Sequence, residues 1–289
     1  MTGAIVVTGC DANHFELAID LLTSLRDARG RDVTIGFIHV GDEALPPAIR
    51  DAADRVVHVA DPDHESRSIR GFRLAYLGVK ARLPDYFPGF DTYVWLDGDT
   101  WVQNAVGLDH IVNAAGYSDL CVHPERDPNY DWGGGPEHYL KFVYNELYGD
   151  VEAERFAGVA SFNSGVFGAR ASSPLWPLWP AELDALRLRW AGADVHFSDQ
   201  IPMHRLVASH QIAITPLRSV NNWLCFCCLP AVNLQRRKLH APTYPFEEIN
   251  IVHLIGDTKD RRFRLGDSER EITLRYRDIR ALFAEPADA

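Results

Sequence analysis

Two carboxylates stand one residue apart at the end of an apolar run. The run 93–96 has the pattern of a buried strand, and it is followed directly by Asp97, Gly98 and Asp99. Carboxylates this close repel each other unless a positive charge lies between them, and a hard divalent cation such as Mg²⁺ or Mn²⁺ supplies that charge. Such a cation commonly keeps open positions for phosphate oxygens, and Gly98 allows a ligand to approach the backbone closely. The pair therefore predicts metal-assisted chemistry on a phosphate or a nucleotide-sugar, with an ordinary Asp-Gly-Asp turn as the alternative.

Composition restricts the class of protein. The chain has 289 residues, 46% of them hydrophobic and 24% charged, as in ordinary globular proteins. Its net charge of −11 disfavours general nucleic-acid binding, so we expect no nucleic-acid partner. No run approaches the ~18 apolar residues of a membrane span. Residues Met1–Thr8 lack the basic start and long apolar core of a signal peptide, and we expect a cytoplasmic protein.

The cysteines indicate no disulfide framework. There are five, an odd number, and Cys225, Cys227 and Cys228 cluster in an apolar stretch without a Cys-x-x-Cys spacing. A zinc site is therefore disfavoured. We expect buried thiols in a reducing compartment.

The segments that must position the carboxylates alternate between strand and helix patterns. Strands are predicted at 4–8, 33–40, 55–59 and 92–96, and helices at 15–29, 46–54 and 69–83. This alternation predicts an α/β sheet with a largely parallel core. Ligands of such sheets bind at the carboxyl ends of the strands, where Gly9 and Asp97 both fall.

The second half of the chain is less regular. A helix is predicted at 174–190, and a glycine-rich loop at 129–136 carries Tyr130 and Trp132. This loop is either a plain flexible connection or a lid that faces a sugar. Residues 285–289 are expected to form a frayed tail.

With the acidic pair in place, further segments form an ordered set. They are Arg82-Leu83-Pro84-Asp85-Tyr86 before the acidic strand, Phe162-Asn163-Ser164-Gly165-Val166, Ser198-Asp199-Gln200, and Val252-His253-Leu254-Ile255-Gly256-Asp257-Thr258-Lys259. In this order the chain resembles the family 8 glycosyltransferases, retaining enzymes of the GT-A fold that include glycogenin and bacterial galactosyltransferases.

The resemblance covers most of the chain, from Ile5 to about Lys259. It implies one Rossmann-like GT-A domain over 1–284, with a mixed, mostly parallel central sheet flanked by helices. The nucleotide-binding half would extend over about 1–125 and the acceptor side over about 126–284.

The resemblance also implies a ligand set for the metal. Asp97, Asp99 and His253 would hold Mn²⁺ or Mg²⁺, while Gly256 and Lys259 would face the diphosphate. A hydrogen-bonded histidine at a strand end is the alternative for His253. The Pro-Trp that usually follows the lysine is replaced here by 260–262, Asp-Arg-Arg, either a solvated basic loop or a source of extra phosphate contacts.

The resemblance also implies that a cation on the helix before the acidic strand reaches the phosphate or sugar of the donor. Lys80 is the candidate, and Arg73, seven residues earlier on the same face, is its competitor. Either could instead be a solvated helix charge.

The nucleoside is expected at the end of the first strand. The resemblance implies that Thr8, Gly9 and Asp11 hold the base and ribose. The family often stacks a tyrosine on the base, whereas here His14 or Phe15 would take that place.

Three residues are expected beside the donor sugar. Asn163 would hydrogen-bond a sugar hydroxyl, and a turn residue is the alternative. Asp199 and Gln200 would lie on the β face of the anomeric carbon, with Gln200 favoured as the stabiliser or nucleophile. The alternative is that Ser198 caps the following helix and that the charge of Asp199 complements the helix dipole.

Together these features predict a metal-dependent glycosyltransferase, and the resemblance implies that it retains the anomeric configuration. It would transfer a hexose from a nucleotide-diphosphate sugar, UDP-glucose or UDP-galactose, to a hydroxyl of a glycan, protein, lipid-linked or small-molecule acceptor. One alternative is a catalytically silent nucleotide-sugar-binding or assembly protein. Another is a haloacid-dehalogenase-type phosphatase, although Trp101 stands where its Asp-x-Asp-x-Thr motif requires threonine.

Overall fold

A computed structural model describes residues 3–30, 32–60, 78–130, 136–156, 158–190, 199–264 and 271–285. The strands of its central sheet are β1 (Ala4–Cys10), β2 (Thr34–Val40), β3 (Arg55–Val59), β4 (Thr92–Leu96), β6 (Leu120–Pro124), β7 (Phe162–Arg170) and β8 (Ile214–Pro216). The shorter strands are β5 (Thr100–Val102), β9 (Trp223–Leu224), β10 (Ala231–Asn233), β11 (Lys238–His240), β12 (Ile251–His253), β13 (Phe263–Arg264) and β14 (Glu271–Ile272).

The α-helices of the described ranges lie between these strands. They are α1 (Phe15–Arg29), α2 (Pro47–Ala52), α3 (Leu83–Tyr86), α4 (Val106–Ala115), α5 (Pro136–Tyr148), α6 (Asp150–Phe156), α7 (Leu175–Trp190), α8 (Gln200–Ala208) and α9 (Tyr276–Ala284). Within those ranges, no helix combines the length with the apolar composition that a membrane span requires.

The central sheet has seven strands in the order β3-β2-β1-β4-β7-β6-β8. Strands β3, β2, β1 and β4 are parallel, as are β6 and β8, and β7 alone runs antiparallel to its neighbours β4 and β6. The predicted mixed, mostly parallel sheet flanked by helices is confirmed.

Both faces of this sheet are covered by helices. Alternate residues of β1 point to opposite faces, so Ile5 and Val7 belong to one buried cluster and Val6 to another. The first cluster includes side chains of α5, α7 and α8, and the second includes side chains of α1 and α4. Every residue of β1 is buried, which explains why Ala4–Val7 is a continuous apolar run rather than an alternating one.

Most predicted elements agree with the structure to within a few residues. The helix at 15–29 and the strands at 55–59 and 92–96 have the predicted bounds. The first strand extends to Cys10, because hydrogen bonding to β2 continues as far as the pair Cys10 and His39. Helix α1 ends where Gly30 adopts a positive φ of 58°.

The predicted helix at 69–83 is helical throughout its described part, 78–83, but it is not one continuous α-helix. Residues 69–77 lie outside the described ranges. From Lys80 the chain forms a 3-10 turn to Arg82, and the separate helix α3 then begins at Leu83. Pro84 lacks a backbone N–H, so it suits the first turn of a new helix and cannot continue an earlier one. The predicted frayed tail falls largely on 286–289, which are outside the described residues.

A second, three-stranded sheet positions part of the site. Its order is β5-β12-β9, with β12 antiparallel to β5 and parallel to β9. Because β5 follows β4 after a three-residue turn, this small sheet is attached directly to the carboxyl end of β4.

Candidate active site

The acidic pair lies on a tight turn between β4 and β5. The Thr100 N–H donates to the Asp97 carbonyl at 2.9 Å, and the Asp97 N–H donates to the Gly165 carbonyl of β7 at 2.7 Å. The turn interpretation is therefore correct. It does not compete with a role in binding, because the turn sits at the carboxyl end of the central strand, where ligands of such sheets bind.

Strand pairing brings His253 to this turn. His253 is the last residue of β12 and lies opposite Thr100 of β5, while the Leu254 N–H donates to the Asp99 carbonyl at 2.9 Å. As a result, His253 Nε2 lies 3.3 Å from Asp99 Oδ1. Ligand atoms of Asp97, Asp99 and His253 all lie within 4.8 Å of one another.

The three side chains fit a divalent cation. Two carboxylates and one imidazole nitrogen form a mainly oxygen donor set, which favours Mn²⁺ or Mg²⁺. The cluster also depends on the lack of a side chain at Gly165. A Cβ there would overlap the His253 ring and lie 2.8 Å from Asp97 Oδ2.

Lys259 adds a positive charge beside the cluster. Its Nζ lies 2.8 Å from Asp99 Oδ2, on a turn that begins at Gly256 with a positive φ of 64°. Burial lowers the pKa of Lys259, but the Asp99 carboxylate outweighs it and the net shift is upward. Burial raises the pKa of Asp99, but His253 and Lys259 outweigh it and hold that pKa well below its usual range. Both groups are therefore charged near neutral pH.

Lys80 is a buried cation between two acidic residues. It is 3% exposed, and its Nζ lies 2.8 Å from Asp97 Oδ1 and 3.2 Å from Asp199 Oδ2. Burial lowers the pKa of Lys80, but Asp199 and Asp97 outweigh it and raise the pKa above its ordinary value. The solvated-charge interpretation of Lys80 is therefore wrong. Its competitor Arg73 lies outside the described residues.

Asp199 is held by the site rather than by its helix. It precedes α8, yet its side chain makes no capping hydrogen bond. Instead, Asp199 Oδ2 accepts a 2.8 Å hydrogen bond from Ser164 Oγ in addition to its pairing with Lys80. Asp199 therefore stands at the helix N-terminus without a capping hydrogen bond, and Ser198, the expected cap, lies outside the described residues. The neighbouring Gln200 Oε1 accepts from the Ser164 N–H at 3.3 Å.

Asn163 lies inside β7, so the turn interpretation of this residue is wrong. Its Oδ1 accepts from the Gly165 N–H at 3.0 Å and from Asn222 Nδ2 at 3.0 Å. Its Nδ2 donates to Glu125 Oε1 at 3.4 Å. Asn163 thus connects the strand that carries Gly165 with two residues to which the sequence analysis gave no role.

Glu125 is one of these missed residues. It is buried directly after β6 and accepts hydrogen bonds from Ser161 Oγ and Asn163 Nδ2. Burial raises its pKa above the ordinary glutamate value, although these hydrogen bonds oppose the shift. Glu125 follows the apolar run 120–122 after two further residues, which is a weaker form of the signal that identified Asp97. Asn222 carries no comparable signal.

No sequence profile of a protein family matches the chain, and no curated protein matches its sequence. The structure matches galactosyltransferase LgtC, solved in complex with donor and acceptor sugar analogues, with a TM-score of 0.59 and 13% identity over 96% of this chain and 94% of that one. It also matches mouse xyloside xylosyltransferase 1 in its apo form, with a TM-score of 0.54 and 14% identity over 88% of this chain and 98% of that one.

Both of these proteins are GT-A glycosyltransferases. The chain has the GT-A fold. The resemblance stated from the sequence motifs is thus confirmed at the level of the fold.

Within this GT-A fold, most of the predicted site residues converge at the carboxyl end of β4. The connected set comprises Asp97, Asp99, His253, Lys259, Lys80, Asp199, Gln200 and Asn163. Gly98 lies in the same turn, and a Cβ there would meet only ordinary contacts, the nearest being the Gly9 carbonyl oxygen at 3.5 Å.

The residues predicted to hold the nucleoside lie at the end of β1 and in the turn that follows it. Thr8 is fully buried, and a Cβ at Gly9 would lie 2.6 Å from the Ile38 carbonyl oxygen of β2. Asp11 accepts from the Asn13 N–H at 3.0 Å and lies 2.9 Å from His14 Nδ1. Their assignment to a nucleoside stays a prediction.

The cysteine and lid predictions need correction in this GT-A fold. All five cysteines are free, but only Cys225 of the cluster is buried, and Cys227 and Cys228 are partly exposed. The Tyr130 hydroxyl accepts from the Leu224 N–H at 3.1 Å, and its ring packs against Trp223. Tyr130 is therefore a packing residue rather than part of a lid. Trp132 lies outside the described residues.

Proposed function

We propose that this protein is a metal-dependent retaining glycosyltransferase. It transfers a hexose from a nucleotide-diphosphate sugar, with UDP-glucose and UDP-galactose as the favoured donors, to an acceptor hydroxyl. The likeness to known GT-A glycosyltransferases supports the transferase class.

The convergence of Asp97, Asp99 and His253 carries the proposal. These residues come from two distant segments and meet at the carboxyl end of β4, with Lys259 paired to one of the carboxylates. A divalent cation bound there would neutralise the diphosphate leaving group as a Lewis acid. Asp97, Asp99 and His253 would hold it.

Two lysines of the protein would also stabilise the negative charge of the diphosphate leaving group. Lys259 is protonated near neutral pH because Asp99 raises its pKa, so it presents a point charge to a departing diphosphate. Lys80 is held between Asp97 and Asp199, which keeps its charge fixed at the boundary between the phosphate and sugar regions. Fixed charges of this kind need no reorganisation during the reaction.

The sugar side of the site is built on β7 and α8. Asn163 and Asp199 would hydrogen-bond donor hydroxyls, and Gln200 would stabilise the oxocarbenium-like centre. Lys80 and Ser164 already engage the Asp199 carboxylate, which makes Asp199 a weaker nucleophile. The acceptor hydroxyl would attack from the face that the leaving group vacates, with a phosphate oxygen taking its proton.

The two alternatives differ in what they require of the structure. The GT-A fold gives no support to a haloacid-dehalogenase-type phosphatase. A catalytically silent binder would keep the donor site but lack turnover. Binding and turnover must therefore be measured separately.

A thermal-shift panel tests the donor site. UDP, GDP, CDP, ADP and TDP are each added with and without Mn²⁺, and we expect one diphosphate to raise the melting temperature strongly only when Mn²⁺ is present. The matching nucleotide sugars are then assayed for hydrolysis and transfer. A metal-linked shift without turnover would identify a silent binder, and no metal-linked shift would contradict the proposed site.

Replacing Lys259 with alanine is expected to weaken nucleoside-diphosphate binding. The loss should be about 1–3 kcal/mol, the scale of a hydrogen bond to a charged group. Isothermal titration calorimetry with UDP and Mn²⁺ measures it. Lys141→Ala is the control, because this lysine pairs with Glu154 on the surface away from the site. Equal affinity of the two variants for UDP would show that Lys259 does not contribute to diphosphate binding.

A further inference from the structure

Asn222 lies between the metal cluster and the sugar side of the site. It is 0% exposed and follows a 3-10 turn at Ser219–Asn221. Its side chain contacts His253 Nδ1 at 2.9 Å through Oδ1 and Asn163 Oδ1 at 3.0 Å through Nδ2. No sequence motif marks it, and it contacts neither carboxylate of the pair among the described hydrogen bonds.

A chain of hydrogen bonds determines which atoms donate. The Gly165 backbone N–H can only donate, so the Asn163 atom that faces it must be the carbonyl oxygen. That oxygen can only accept, so the Asn222 atom that faces it must be the amide nitrogen. The other Asn222 atom is then Oδ1, which can only accept from His253 Nδ1.

This chain of hydrogen bonds determines which nitrogen of the His253 imidazole carries a hydrogen. His253 Nδ1 must carry a hydrogen, so the nitrogen without one in the neutral ring is Nε2. Nε2 is also the atom that faces Asp99 Oδ1, at 3.3 Å. A cation held by the carboxylates would therefore meet the Nε2 lone pair of the neutral ring, in place of the hydrogen through which His253 otherwise contacts Asp99.

We propose that Asn222 is a positioning residue that holds His253 with Nδ1 protonated and Nε2 directed at a divalent metal. The proposal rests on the proposed metal-dependent function. Partners of this kind set the orientation and basicity of a metal-bound histidine, and their loss commonly costs about 10–100-fold in metal affinity. Because Asn222 also donates to Asn163, it links the metal ligand to a residue of the sugar side.

The test compares Mn²⁺ binding across four variants. Asn222→Leu keeps the branched shape of the side chain but removes both hydrogen bonds, and we expect it to lower Mn²⁺ affinity by about 10–100-fold. Asn222→Ala also lacks both hydrogen bonds and replaces Asn222→Leu if that variant does not fold. Asn222→Asp keeps an acceptor for His253 Nδ1 and should retain most of the affinity. Asn221→Ala is the matched control, because Asn221 is a buried neighbour whose Oδ1 accepts from Asn250 rather than from His253.

Electron spin-echo spectroscopy of the bound Mn²⁺ gives a readout that does not depend on activity. We expect nitrogen coupling from an imidazole in the wild-type protein, its loss in His253→Ala, and its loss or weakening in Asn222→Leu. If Asn222→Leu and Asn222→Ala keep both the coupling and the affinity, the positioning role is overturned while the metal site stands. If the wild-type protein binds Mn²⁺ without nitrogen coupling, His253 is not a ligand and the inference fails. If the wild-type protein binds no Mn²⁺, the proposed function itself fails.

Discussion

Replacing Asp99 with asparagine is expected to abolish metal-dependent turnover while the fold stays intact. Asp99 is the carboxylate shared by His253 Nε2 at 3.3 Å and Lys259 Nζ at 2.8 Å. Asparagine keeps the size of the side chain but removes its charge, so a cation loses one of its two carboxylates. We expect turnover to fall by about 10²–10³-fold or more, the scale for losing one group that stabilises developing charge.

The fold should tolerate this change. The pKa of Asp99 is held below its usual range, so its ionised form stabilises the folded state above the pKa of an unfolded aspartate, and this contribution is lost as the pH falls through the folded pKa. Asparagine removes the contribution at all pH values, but Lys259 is partly exposed and can be solvated. Chemical denaturation should show a loss of no more than about 1–3 kcal/mol.

Asp257→Asn is the control for Asp99→Asn. Asp257 lies on the neighbouring turn, is exposed, and its Oδ2 lies 3.6 Å from Arg261 Nη1. The same chemical change there should leave Mn²⁺ binding unaltered. Full metal-dependent activity in Asp99→Asn would contradict the assignment of the metal site.

Replacing Gly165 with alanine is expected to disrupt the same site through sterics alone. The added methyl group would overlap the His253 ring and lie 2.8 Å from Asp97 Oδ2 and 2.9 Å from Asn163 Oδ1. The ring cannot move freely, because Asn222 holds its other edge. We expect Mn²⁺ affinity to fall by about 100-fold, as for the loss of a group that orients a ligand. Overpacking should cost about 1–3 kcal/mol of stability.

Gly168→Ala separates the local effect from general destabilisation. Gly168 lies on the same strand, but a Cβ there would lie 2.6 Å from Ile111 Cγ2 and 2.9 Å from Cys121 Sγ, both in the core. We expect it to lower the melting temperature and keep Mn²⁺ affinity. If Gly165→Ala binds Mn²⁺ as tightly as the wild-type protein, the compact arrangement of Asp97 and His253 does not form the metal site.

Local sequence patterns predicted the elements and several of the site residues. The helical pattern at 15–29 predicted α1, and the apolar run before Asp97 predicted β4. These features are local, because periodicity and helix stop signals act over a few residues. The Asp-Gly-Asp turn at the end of a buried strand belongs to the same class of signal.

Packing overturned several interpretations that were reasonable from sequence. A lysine is ordinarily solvated, but Lys80 is buried because two acidic residues from separate segments compensate its charge. Asp199 has the position of a helix cap, yet Ser164 and Lys80 bind it instead. Both outcomes depend on contacts between residues far apart in the chain.

By itself, the sequence determined the alternating α/β pattern, the acidic pair at the end of β4 and the set of motifs that resembles a glycosyltransferase family. Only the tertiary structure decided how these parts meet. The pairing of β12 with β5 places His253 against Asp99, and the bare backbone of Gly165 leaves room for both. The hydrogen bonds of Asn222 then set the orientation and the tautomer of the His253 imidazole. Strand pairing and side-chain orientation arise from non-local contacts, and no pattern along one segment contains them.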